Sequence, residues 1–121
     1  MDYIFYNKGE IFFSEGKREL ALRQFNHIIY KYPESVHLYE AFYSKSLILK
    51  DQLKRKEALL VMNTLLAKNP PFKTKIKAYY QRGDLHSGLN QDQLAIADYT
   101  SVLQLSSTDP FSKKAIFSLN E

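Results

Sequence analysis

An all-α stack of three helix–turn–helix repeats is the fold this sequence predicts, and three observations predict it. Apolar residues recur at helical spacing along nearly the whole chain. The pattern returns in phase at an offset of 37 residues. Glycine or proline falls where the helices of the first two copies should turn or stop: Gly16, Pro33 and Pro70.

The offset aligns residues of one kind three times. Phe5, Phe42 and Tyr79 are aromatic; four residues on, Gly9, Ser46 and Gly83 are small. Ala21, Ala58 and Ala95 are identical, followed by Leu22, Leu59 and Ile96. Phe25, Met62 and Tyr99 come next, then Ile28, Leu65 and Val102, with Ile29, Leu66 and Leu103 beside them. Paired helices pack closely only where one offers a small residue to the other's side chain. The glycines, Ser46 and the alanines supply that space, and the large residues fill the gaps between copies.

The spacing predicts helices at about 2–14 and 18–31, 36–50 and 54–68, and 73–88 and 91–105. Gly16 suits the turn of the first copy, because glycine accepts positive φ without steric cost. Pro33 and Pro70 end the second helices. Asp109-Pro110 reads as an N-cap followed by proline in a first helical turn, opening a final helix over 110–119. We expect one domain over 1–121, with repeats at about 2–35, 39–72 and 76–109 and a last helix that is a cap or the start of a fourth copy. Apolar residues crowd both ends, at Tyr3, Ile4 and Phe5 and at Ile116 and Phe117. They predict a surface covered by a neighbouring molecule or a further domain.

Composition narrows the class. The chain is 45% hydrophobic and 25% charged, ordinary for a globular protein and far from the disordered range. No apolar run approaches the 18 or so residues of a membrane span. The N-terminus shows no basic region followed by an apolar core, so the sequence reads as cytoplasmic as written, or as periplasmic had a leader been removed. With no cysteine, thiol chemistry is excluded and the compartment stays open. His27, His37 and His86 lack metal-ligand spacing, the four glycines form no phosphate loop, and Asp84 and His86, two apart on one helix, point away from each other. No enzyme, cofactor or metal is expected.

Phe5-x-x-x-Gly9-x-x-Phe12, Ala21-x-x-x-Phe25 and Pro33 resemble the tetratricopeptide repeat. The second copy keeps Phe42, Ala58 and Pro70 with Ser46 and Leu49 as departures; the third keeps Tyr79, Gly83, Ala95 and Tyr99 with His86 and Ser107. Tyr32-Pro33-Glu34-Ser35, and the nine residues from Pro33 to Phe42 and from Pro70 to Tyr79, resemble the longer repeats of bacterial envelope proteins of the Tol–Pal coordinator and barrel-assembly lipoprotein type. The resemblance implies a right-handed α-α superhelix (solenoid) and a protein–protein interaction scaffold or adaptor. Its partner is then another protein or peptide.

In that architecture the first helices line a concave groove. Tyr6, Tyr43 and Tyr80 share one register on them, Glu10, Leu47 and Asp84 a second, Phe13, Lys50 and Ser87 a third, and Tyr3, Glu40 and Lys77 a fourth. The expected partner-binding residues are Tyr3, Tyr6, Glu10, Phe13, Tyr43, Leu47, Lys50, Tyr80 and Asp84. Flat amphipathic tyrosines suit a peptide or helix; the plainer alternative is that they pack between repeats. The clamp that grips acidic C-termini of heat-shock chaperones needs Lys and Asn where this chain has Tyr6, Glu10 and Leu47, so that partner is not expected. Basic residues gather at Lys17-Arg18, at Lys54-Arg55-Lys56 and at Lys73, Lys75 and Lys77. A solvated surface explains them most simply, an acidic partner or anionic membrane being the functional alternative. Two rival functions are self-assembly through uncapped ends and nucleic-acid binding. Glu10, Glu40 and Asp84 interrupt the basic stripe the latter needs, so no nucleic acid is expected.

Overall fold

The structure, a computed structural model, describes residues 1–120. Among the described residues seven helices follow one another: α1 (Asp2–Ser14), α2 (Arg18–Lys31), α3 (Leu38–Asp51), α4 (Arg55–Ala67), α5 (Phe72–Gly88), α6 (Asp92–Leu105) and α7 (Pro110–Leu119). Their bounds depart from the sequence pattern by at most two residues, and the largest departure has a local cause. The Ser35 hydroxyl accepts the His37 N–H at 3.0 Å and donates to Asp2 Oδ2 at 2.6 Å. That turn leaves Val36 86% exposed, so α3 begins at Leu38 rather than at 36. Asp109 caps α7 as expected, its side chain accepting the Phe111 N–H, with Pro110 in the first turn.

Each helix packs on its neighbour in the chain, and α5 also touches α3 and α7. The chain is thus an all-helical solenoid in two layers, first helices in one and second helices in the other. First helices of successive pairs meet at α3–α5 and α5–α7; α2, α4 and α6 make no comparable contact with one another among the described residues. On the side of α3, α5 and α7, successive pairs are therefore the more closely packed.

The small–large pairing sets the spacing of the layers. A Cβ on Gly9 would lie 2.7 Å from Phe25 Cε1, and one on Gly83 would lie 2.8 Å from Tyr99 Cε1, so only glycine lets these rings in. Repeat two places Met62 in the ring's register, and there Ser46 fits, its hydroxyl donating to the Ala58 carbonyl at 3.2 Å. Ala21, Ala58 and Ala95 are all buried. Three apolar clusters result: Phe25 and Ile28 with Ile48, Met62 and Leu65 with Phe42, and Tyr99 and Val102 with Ile76.

The turns obey the same repeat. Gly16, Leu53 and Asn90, each 37 residues apart, all adopt positive φ, at 76°, 62° and 60°. Glycine and asparagine accept this conformation readily; leucine does so rarely. One expectation fails: Ile96, third in the series of Leu22 and Leu59, is exposed rather than filling a gap. Leu22 and Leu59 pack on core clusters, whereas Ile96 lines a hollow with Tyr99 and Leu119. At the ends, Phe5 is covered by His27, stacked at 3.9 Å, so only Tyr3 stands out there (56% exposed). Phe117 is 72% exposed, with Ile116 beside it.

Candidate functional site

Tyr6, Tyr43 and Tyr80 lie on α1, α3 and α5, half-buried and braced in three different ways. Tyr6 stacks on His37 with ring centres 4.2 Å apart and turns an edge to Phe25. Tyr43 carries the Lys77 ammonium 4.6 Å from its ring centre, a cation–π contact. Tyr80 lies against Tyr99 at 5.6 Å and Phe111 of α7 at 5.4 Å. Bracing fixes the rings, so a ligand meeting them would not have to freeze free rotors.

Charged side chains cross between α3 and α5 on this side. Lys77 Nζ reaches both Glu40 oxygens at 2.7 Å, and Lys50 Nζ lies 3.7 Å from Asp84 Oδ2. Asp84 also accepts the Tyr99 hydroxyl proton at 2.5 Å. Burial, with the nearby carboxylates Glu40 and Asp84 and then Tyr80, pushes the Tyr43 phenol from 10.0 up to about 12. Burial, with Glu10 and Glu40, also raises Tyr6; burial and the bond to Asp84 raise Tyr99 strongly. The Tyr6 and Tyr43 phenols are therefore neutral at neutral pH.

Of the nine expected residues, Tyr43, Lys50, Tyr80 and Asp84 come together as one patch on α3 and α5. Leu47 is half-buried on α3 and Phe13 packs against the first core cluster. Glu10 and Tyr3 are exposed toward the N-terminal end, with Glu10 close enough to act on Tyr6. Beside the patch is a hollow of about 390 Å³ lined by Glu40, Lys73, Thr74, Lys77, Asp109, Pro110 and Phe111.

Sequence reasoning missed Phe111, which closes this hollow from α7. It also missed the cluster behind the patch. Arg82 grips Asp98 through Nε at 3.0 and 3.1 Å and Nη2 at 2.7 Å, and donates Nη1 to Asn63 at 3.2 Å. His86 Nε2 lies 3.5 Å from Asp98 Oδ2, and its Nδ1 pairs with Gln91 at 2.8 Å. A basic residue recurs at this register (Lys8, Lys45, Arg82), but its acidic partner occurs once, so periodicity gave no signal. Among the described residues no three His, Asp or Glu side chains converge as a metal site requires. No described helix is long and apolar enough to cross a membrane.

Tetratricopeptide repeat models match residues 3–35 and residues 76–109, together more than half of the chain. No curated protein matches. Among solved structures, the Arabidopsis OM64 TPR domain superposes with a TM-score of 0.82 over 98% of this chain and 93% of that one. At 17% identity this likeness speaks for the fold alone. The first match spans α1 and α2 and the second α5 and α6, each holding its glycine against the ring of the following helix. By sequence and by packing, the chain belongs to the tetratricopeptide repeat family.

Proposed function

We propose that the chain is a protein-binding adaptor that holds a peptide or helix of its partner along the inner face of α1, α3 and α5. Repeats of this family are generally protein–protein interaction modules. The observation that carries the reading is the row of Tyr6, Tyr43 and Tyr80, each braced from behind and each still partly open. Rings held this way give apolar contact area and a hydroxyl group at low entropic cost, the usual character of interface anchors. The Lys77–Glu40 and Lys50–Asp84 pairs flank Tyr43 and favour a partner that offers polar groups of both signs beside its apolar anchor. The nine-residue spacing from Pro33 to Phe42 supports, within this proposal, a likeness to the longer envelope-type repeats.

The test is affinity capture with the domain, identification of the retained protein, then titration against it. Tyr43→Ala should weaken binding by about tenfold or more with helicity unchanged. Unaltered affinity would move the site off the inner face. A second reading, association through the ends, is favoured by the exposure of Phe117, which takes the Tyr80 register on α7. Sedimentation across concentration separates the two.

A further inference from the structure

Three turns join the paired helices along one edge of the stack, at Gly16, Leu53 and Asn90, and their chemistry differs. At the first, the cations are paired within the fold: Lys17 with Glu15 at 3.2 Å and Arg18 with Asp51 at 3.4 Å. The third, Asn90-Gln91-Asp92, has no cation, and Gln91 is turned in toward His86. Only at the middle turn do the side chains of Lys54, Arg55 and Lys56 go without any hydrogen bond or ion pair among the described residues. Beside them Leu53 stands 71% exposed where the sister turns carry glycine and asparagine. Leu53, Leu89, the three cations and Glu57 line a hollow of about 290 Å³.

Two features here work against the fold's own convenience. Leucine at φ 62° is strained relative to glycine or asparagine. Three adjacent unpaired cations repel one another. A surface that merely needed solvation would require neither.

We propose that this middle turn is a second docking site, for a short acidic segment of a partner protein that carries one aliphatic side chain. The aliphatic group lies in the hollow between Leu53 and Leu89, and its flanking carboxylates meet Lys54, Arg55 and Lys56. Charge complementarity selects the occupant: the lining carries three positive groups against the one carboxylate of Glu57. The hollow has room for about one side chain, and the same edge carries Glu15 and Asp92 at the neighbouring turns and Asp51, held by Arg18, at this one, so a short segment fits where a broad anionic membrane would meet repulsion. The site is separate from the inner face.

The experiment uses a fluorescent synthetic peptide with one leucine set among aspartates, an otherwise identical peptide with serines for the aspartates, and phosphatidylserine vesicles. Anisotropy should show saturable binding of the acidic peptide, a loss of about tenfold with Lys54→Glu, and a steep weakening with salt. Leu53→Asn should also weaken binding by about tenfold while raising the melting temperature, since asparagine accepts the left-handed conformation. Tyr43→Ala should leave this binding unchanged, which separates failure here from failure of the inner-face reading. Absence of saturable binding, equal affinity for the serine peptide, full affinity in Leu53→Asn, or binding of vesicles in place of the peptide would each overturn the proposal.

Discussion

Placing a methyl group on Gly9 sets two opposing effects against each other, and the structure decides which wins. The new Cβ would lie 2.7 and 2.8 Å from Cε1 and Cζ of Phe25. Carbon atoms rest at about 3.5–4.0 Å, so the pair must separate by roughly 1 Å. Phe25 is fully buried, and its ring cannot swing aside without displacing Ile28 or Ile48 of the same cluster. Overpacking of this kind costs about 1–3 kcal/mol. Alanine repays about 1 kcal/mol in helix propensity. Gly9→Ala should therefore destabilise by about 1 kcal/mol, and Gly83→Ala by at least as much, because Tyr99 is further fixed by its bond to Asp84. Gly88→Ala is the control. There the close atom is Arg55 Nε, at 2.8 Å on a surface side chain that can move, so propensity dominates and stability should rise by about 0.5 kcal/mol. Urea titration gives all three values, and Phe25→Leu, which removes the ring, should reduce the penalty of Gly9→Ala in a double-mutant cycle. A Gly9→Ala protein as stable as the parent would refute the tight glycine–ring contact and the layer spacing built on it.

The other predictions probe the charge cluster and the tyrosines. Arg82→Ala leaves Asp98, 3% exposed, without its forked partner and should cost about 3 kcal/mol in chemical denaturation, more than a surface ion pair can explain. Tyr43 titrates at about 12 in the fold against 10.0 when free, so the folded form holds its proton longer. Its contribution is intact below pH 10 and is lost as pH rises from 10 toward 12. Tyr43→Phe should flatten that alkaline loss by about 2 kcal/mol, read from urea midpoints across the pH series.

What recurs was legible in the sequence, as was the local cap at Asp109-Pro110; contacts that occur once between distant elements were not. Gly9 and Gly83, the three buried alanines and the prolines announce themselves because the same geometric demand is made in several copies. Even the departure Ser46 has a matching change, Met62 in place of a ring. The tyrosine register was legible for the same reason, but its bracing was not, since His37, Lys77 and Phe111 come from elements whose approach depends on the curvature of the stack. Asp98 looked like any polar residue of α6 until α5 brought Arg82 to it. Leu53 was hidden by its ordinariness, although its register with Gly16 was available as a clue.

The links that tie one repeat to the next are not alike. Repeat one joins repeat two partly through stacked rings, Tyr6 on His37, and repeat two joins repeat three across α3 and α5 through Lys77–Glu40 and Lys50–Asp84. Ring stacking is nearly indifferent to ionic strength, whereas partly exposed ion pairs weaken as salt shortens the reach of charge to about 8 Å at physiological strength. The first junction also carries an exposed ion pair, Arg18–Asp51, so salt should soften both junctions, and the second, crossed by two such pairs, the more.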